Sequence, residues 1–594
     1  MLIAFTSCND YLDKIPDTRV YLENVEQLRQ TMVDGYNAYS LACVGELSSD
    51  NVIDNNSPSD DGVRYNKAPY SVADNQLYAW EDVTLDNGSD TPSGIWEGCY
   101  GAIAVCNAVL EKVAQFEAEG ADANGALSPE DRAKLSAVKG EALVSRAYHH
   151  WVLCNFFCPP YYGEEGGTTL PGFDPNSDGI TYITEPETTV MPDYKRESLI
   201  SNYKKIEADL EAGLPLINDL YYEVPKYHFN KAAAYAFAAR FYLYKRDYPK
   251  AEEYATLAFK GNDPATMMSP LWMITSFYYI SDIGRGATTI KNANVWMCFN
   301  SYSTWWRRFV YSTQNRYTTN REAARGTLRG PGPTWDKCLY TNSKTKETFA
   351  MHPAFNGYCG SAGGQEYGMY FAGTCFEQFE YTNKIAGIGY CHAVRAEFTT
   401  EQNLLVRAEA RLFMGDIDGA FEDLNVWDQA RQHNASSDDR MVPLSKENIV
   451  SFYTKMLNAY TKCAGRYEIN HYQDSIQWGI ARPINIDKVC PSNRYHVTPE
   501  IEPYLQCVQH FLRLENVHTG MRWWDIRRFG LDVTHKIGRS EIRELKWPDT
   551  RYVIQIPYET VAAGYQPNPS YKKSTQQAIG AVAVEAPGSV VRVN

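Results

Sequence analysis

Two stretches of this chain are written to one plan, and that plan restricts the fold more than any other feature. YLYKRDYPKAEEYATLAF (242–259) and RLFMGDIDGAFEDLNVW (411–427) each end one helical pattern, turn at an aspartate (Asp247, Asp416) and begin a second. Ala251 and Ala420 come four residues after the aspartate, and Ala255 and Leu424 four residues later. Small residues at that offset let two antiparallel helices approach closely, and each pair then has a face that only a neighbouring pair can bury. The expectation is a mostly α protein built from tetratricopeptide-like stacked helix pairs. The alanine-rich run Ala232 to Ala239 supplies the first helix of one such unit.

Other helices are marked by periodicity and stopped by proline. Ile95, Trp96, Tyr100, Ile103, Asn107 and Leu110 fall on one amphipathic helix. A second runs from Ala133 to Phe157, with Leu143, Ala147, His150 and Cys154 on one side, and ends at Pro159-Pro160. A third runs from Arg196 to Leu214 and is closed by Pro215. Between about 261 and 395 the periodicity weakens, and glycine, asparagine, serine and aromatic residues crowd together. Long loops inside a compact protein usually carry function, and the aromatic content opposes disorder. This region reads as ordered loops with short helices and strands. The expected organisation is a single domain over 8–594, with a helical scaffold over about 20–260 and 396–594 and a loop-rich ligand side over about 261–395.

Several function classes are disfavoured. The net charge is −15, from 57 basic and 72 acidic residues, which is the wrong sign for a nucleic-acid surface. No stretch reaches the roughly 18 consecutive apolar residues of a membrane-spanning helix. The fourteen cysteines form no CxxC pair, so Cys154 with Cys158 and Cys99 with Cys106 read as buried small hydrophobes, and no metal site or cofactor is expected. Asp86 to Asp90 (DNGSD) lacks the spacing of a calcium loop and reads as an Asn-Gly turn. GxSxG, HExxH, Walker and Rossmann glycine patterns are absent.

The first residues carry a separate signal. Met1 to Ser7 is a short apolar run without a basic leader, and small residues stand just before Cys8. It reads as the clipped end of a lipoprotein signal peptide, with Cys8 as the acylation point and an ordinary cysteine as the alternative. Several acyl chains at about 0.8 kcal/mol per buried CH₂ would give stable anchoring.

At this point the chain resembles the SusD/RagB family of Bacteroidetes surface lipoproteins. The resemblance is carried by CNDYLDKIPD from Cys8, by IWEGCYGAIAVCN (95–107), and by Gly140, Glu141, Ala142, Arg146 and Ala147. It continues through FNKAAAYAFAARFYLYKRDYPKAEEYA, LLVRAEARLFMGDIDGAFEDLN, GMRWWDIRRFG (520–530) and IPYETVAAGYQPNPSY (556–571). Thr519 stands where the family usually has Glu, and Phe511-Leu512 replaces a charged pair. Arg522, Asp525 and Arg528 share one helix face and read as scaffold ion pairs, as do Glu141 and Glu409.

The resemblance implies a SusD-like fold and a non-catalytic protein of the outer membrane. Such a protein faces the exterior, is lipid-anchored, and hands oligosaccharides to a SusC-like TonB-dependent transporter. A RagB-like peptide binder is the alternative. A helical glycoside hydrolase is a third reading, needing two carboxylates about 5–9.5 Å apart. Sugar rings need flat aromatic faces with polar groups at the rim, and 43 Tyr and 13 Trp are available. Two stretches supply both kinds. One, over 47–80, offers Asp50, Asn51, Arg64, Tyr65 and Trp80; the other, over 294–309, offers Trp296, Asn300, Tyr302, Trp305 and Trp306.

Overall fold

The computed structural model describes residues 22–57, 63–65, 67–86, 88–165, 167, 170–189, 193–268, 292–304, 315–319, 323, 326–327, 330–335, 339–341, 348–350, 375–431, 442–462, 479–570, 577–578 and 590–592. The fold is mostly helical. Three short helices, α1 (Val25–Thr31), α2 (Ala42–Ser48) and α3 (Val72–Tyr78), precede two long ones, α4 (Pro92–Glu119) and α5 (Pro129–Phe157). Local chemistry sets the ends of the long pair. Thr91 caps α4 by accepting the Gly94 N–H, with Pro92 in the first turn, and left-handed Gly120 closes it. Ser128 and Asp131 form a reciprocal capping box at the start of α5.

The expectation of one buried side for α5 is corrected. From Val144 to Phe157 every residue is buried, so this half of the helix is the centre of the core rather than a surface element. Around it stand α4, α6 (Leu199–Gly213) and α7 (Lys231–Lys245).

The two matching stretches fold alike. α7 turns into α8 (Tyr248–Ala258), and α9 (Thr400–Phe413) turns into α10 (Ile417–Arg431). Asp247 accepts the Lys250 N–H at 3.4 Å, and Asp416 accepts the Gly419 N–H at 2.9 Å. Ala251, Ala255, Ala420 and Leu424 are fully buried. α9 packs on α8 and α7, so the pairs stack, and Asn403 Nδ2 donates to the Ala255 carbonyl at 2.8 Å across that junction. α11 (Lys446–Lys462), α12 (Glu502–Glu515) and α13 (Met521–Phe529) complete the frame. Phe511 of α12 stacks on Trp427 of α10 at 3.9 Å. Arg528 of α13 forms a buried pair with Glu409 of α9, and its Nε donates to Asp525 at 2.9 Å.

The region expected to be loops with short strands instead holds a substantial antiparallel sheet. β1 (Val295–Tyr302), β2 (Cys375–Asn383) and β3 (Ile388–Thr399) are eight, nine and twelve residues long, in the order β1–β3–β2. The first five residues of β1 are all buried, so the strand opens as an apolar run without the alternation that would have marked it. Register shifts around Phe398 bend β3 into α9, which Thr399 caps by accepting the Gln402 N–H at 3.3 Å. Among the described residues no helix is long and apolar enough to cross a membrane.

Candidate ligand-binding cleft

Four of the residues expected to meet a ligand are interior. The Asp50 side chain is 6% exposed and faces three guanidinium groups, with Arg522 Nε at 2.9 Å, Arg482 Nη2 at 2.9 Å and Arg513 Nη2 at 3.4 Å. Burial alone would raise its pKa, yet Arg513, Arg522 and Arg482 together hold the carboxyl well below the usual carboxylate range. Asn51 is fully buried and accepts from Arg513 Nε at 3.1 Å. Trp80 is 6% exposed, sits at a left-handed φ of 51°, donates its indole N–H to the Ser48 carbonyl at 2.9 Å and stacks on His535 at 4.1 Å. Trp296 is 3% exposed and packs edge-on against Phe259 at 5.6 Å. These are corrections with one physical cause: large amphipathic rings and Arg–carboxylate clusters serve the interior as well as a surface.

Arg64 and Tyr65 lie on a short strand, Val63–Tyr65, paired with residues 590–592, and their side chains fall outside the described residues. Trp305, Trp306 and Cys8 also lie outside the described residues.

Asn300 and Tyr302 are exposed, and they share a face because they are two apart on β1. That face lines a cleft of about 970 Å³ between the sheet and α4. Its floor on the helix side is Glu97, Gly98, Gly101, Ala102 and Val105. Its opposite wall is β1 with His392 of β3, and one end is closed by Tyr227 and His228. Residues 34–39 cross between the two walls.

That crossing segment is fastened at three points. Ser145 Oγ donates to the Gly35 carbonyl at 2.5 Å, and His149 Nε2 accepts the Asn37 N–H at 3.0 Å. The Tyr302 N–H donates to the Ala38 carbonyl at 2.7 Å. Asn37 Oδ1 then accepts the Tyr39 N–H at 2.7 Å, which fixes where the Tyr39 ring stands. Burial pushes the His149 pKa down to about 4, so the ring is neutral at physiological pH and its two nitrogens can take opposite roles, one donating and one accepting.

The result is a row of rings. Tyr39 and Tyr302 have centroids 6.3 Å apart, Tyr302 and Tyr390 5.7 Å, and Tyr302 lies 4.5 Å from His392, its partner across the ladder. Tyr302 is 39% exposed and Tyr390 56%. Below the row, Tyr36 donates its hydroxyl to Glu141 Oε1 at 2.5 Å, and the same oxygen stands 2.8 Å from His228 Nδ1. Burial first, and then the Glu141 charge, hold the Tyr36 phenol well above its usual range, so it remains a donor. Glu141 therefore has a positioning role in this arrangement. Asp90, in the turn before α4, accepts from Ser303 Oγ at 2.6 Å and from the Thr304 N–H at 2.9 Å, which secures the end of β1 to the helix. Flat faces with amide and carboxylate groups at their rim can cover the apolar face of a ring while bonding its hydroxyls.

Residues 10–243 match a family model, SusD-like_3, described as starch-binding and associating with the outer membrane. Over those residues the chain resembles the SusD family. Solved SusD superfamily proteins share its fold. One from Bacteroides thetaiotaomicron aligns with a TM-score of 0.54 at 15% identity, over 92% of this chain and 100% of that one. One from Bacteroides vulgatus gives 0.53 at 17%, over 93% and 100%, and one from Bacteroides fragilis 0.51 at 14%, over 92% and 99%. At such identities the likeness speaks for the fold alone. No curated protein matches by sequence.

Around this cleft of a SusD-like fold, the sequence had singled out Asn300 and Tyr302 and not Tyr39, Tyr227, His228 or Tyr390. Alternation in β3 places Tyr390 and His392 on one face and was the available signal for those two. Tyr39 and His228 lie in irregular segments, and only the fold brings them to the cleft.

Proposed function

We propose that this chain is a non-catalytic glycan-binding protein that takes up oligosaccharides in the cleft beside β1. The observation that carries the reading is the partly exposed row Tyr39–Tyr302–Tyr390, the first two of which line the cleft together with Asn300 and Glu97. Stacking covers the C–H faces of successive sugar rings, and the rim groups bond their hydroxyls. The family description, starch-binding and associating with the outer membrane, supports the same reading and the same location. In this proposal Cys8 carries the lipid anchor, the protein faces the cell exterior, and the bound oligosaccharide passes to a TonB-dependent transporter.

Titration calorimetry with maltohexaose, cellohexaose and laminarihexaose tests the glycan reading. Saturable binding of at least one is expected. No heat with any of the three would overturn it, and a peptide co-purifying by mass spectrometry would then decide for peptide capture.

A further inference from the structure

At the closed end of the cleft stands a histidine whose buried partner a stacking surface does not need. His228 precedes Phe229 in extended backbone (φ −130°, ψ 161° at His228), so the two side chains point to opposite sides. Phe229 is fully buried and stacks on Tyr36 at 5.8 Å. His228 is thereby turned to the cleft, which it lines. The segment cannot easily swing, because Asn230 Nδ2 donates to the carbonyls of Pro225 at 2.9 Å and Trp296 at 2.7 Å, and Asn230 also caps α7.

Nδ1 of His228 lies 2.8 Å from Glu141 Oε1, and Glu141 is itself 1% exposed and held by the Tyr36 hydroxyl. Tyr222 stacks flat on the imidazole at 4.7 Å, fixing the ring plane. A buried carboxylate at Nδ1 requires the proton there, and in the neutral ring that leaves Nε2 as an acceptor. The acceptor suits a hydroxyl donor and gives nothing to an apolar aglycone or to another carbonyl.

We infer that His228, oriented by Glu141, is the polar anchor of the cleft, accepting a hydroxyl hydrogen bond from a bound sugar ring whose face lies on the Tyr39–Tyr302 row. This inference rests on the glycan reading and deepens it: the ligand class is a hydroxyl-rich, uncharged saccharide.

The test uses the full chain and maltohexaose, cellohexaose and laminarihexaose in calorimetry. The shorter amide of His228→Asn can keep a hydrogen bond to Glu141 but has no atom where Nε2 stands, whereas the amide of His228→Gln reaches the Nε2 position. His228→Asn is expected to weaken binding at least fivefold with an unchanged melting temperature, and His228→Gln to bind more tightly than His228→Asn. Wild-type affinity in a folded His228→Asn protein would overturn the anchor while leaving the glycan reading intact. Should His228→Asn fail to fold, His228→Gln decides: binding within threefold of wild type supports the anchor, and binding lost by tenfold or more overturns it. Absence of binding by the wild type would overturn both readings.

Discussion

The backbone N–H of Asn37 donates to His149 Nε2 at 3.0 Å, while Nδ1 of the same ring lies 2.7 Å from the Ser145 carbonyl. Together the two bonds require a neutral imidazole carrying its proton on Nδ1. The folded-state pKa is pushed down to about 4 by burial, against about 6.5 when unfolded. Since the unfolded state takes up the proton first, the contribution is complete above pH 6.5 and is lost as pH falls toward 4. Its size is on the order of 3 kcal/mol. Buried His510, His518 and His535 shift in the same direction. Urea unfolding should therefore show stability falling steadily between pH 6.5 and 4. A flat profile across that window would contradict the neutral, doubly bonded ring.

Tyr302 carries the clearest ligand prediction, because it is exposed and central to the ring row. Tyr302→Ala removes a stacking face without opening a core cavity, so the melting temperature should move little. Glycan affinity should fall by up to about tenfold, in line with about 0.5–1.5 kcal/mol for one ring contact. Calorimetry on the two proteins at matched pH checks this, and equal affinities would remove Tyr302 from the site.

Trp80 and Asp50 should behave in the opposite way. Trp80→Ala empties a buried site against His535 and should cost about 3–5 kcal/mol. Asp50→Ala leaves Arg482, Arg513 and Arg522 facing one another and should cost about 3–5 kcal/mol. Where either variant stays folded, its glycan affinity should remain within twofold of wild type. A selective loss of affinity in a stable Trp80→Ala protein would show that this ring meets the ligand after all.

The contrast between these residues shows what the sequence could and could not reveal. The stacked pairs were legible because Asp247 and Asp416 cap helices locally, and because buried alanines recur at a fixed offset from them. The sheet was not, since β1 opens with five buried residues and gives no period of two. For the cleft, Asn300 and Tyr302 were found as polar and aromatic residues in one stretch. Trp80 and Trp296 satisfied the same criterion and proved to be core, because composition does not state which way a ring points. His228 could not be found at all: its partner Glu141 is 87 residues away, and only the packing of α5 against the segment before α7 joins them.

Gly98 tests whether the crossing segment really positions the site. It faces residues 37–39 from α4, and an added Cβ would stand 2.0 Å from Asn37 Oδ1 and 2.9 Å from Tyr39 Cδ2. Neither neighbour can yield cheaply, because Asn37 Oδ1 holds the Tyr39 N–H and the Asn37 N–H is held by His149. Gly98→Ala should therefore lift the segment off the helix, cost about 1–3 kcal/mol, and displace the Tyr39 ring from its row with Tyr302. Gly101, one turn further along the same helix, faces open space, and a Cβ added there would meet nothing within 4 Å. At that position the helical preference of alanine over glycine should dominate, and Gly101→Ala should raise stability by about 0.5–1 kcal/mol. Thermal melts of both variants, with glycan titration of Gly98→Ala, separate the two effects. Equal tolerance at both positions, with unchanged affinity at Gly98→Ala, would mean that the 37–39 segment is free to move and that Tyr39 takes no part in binding.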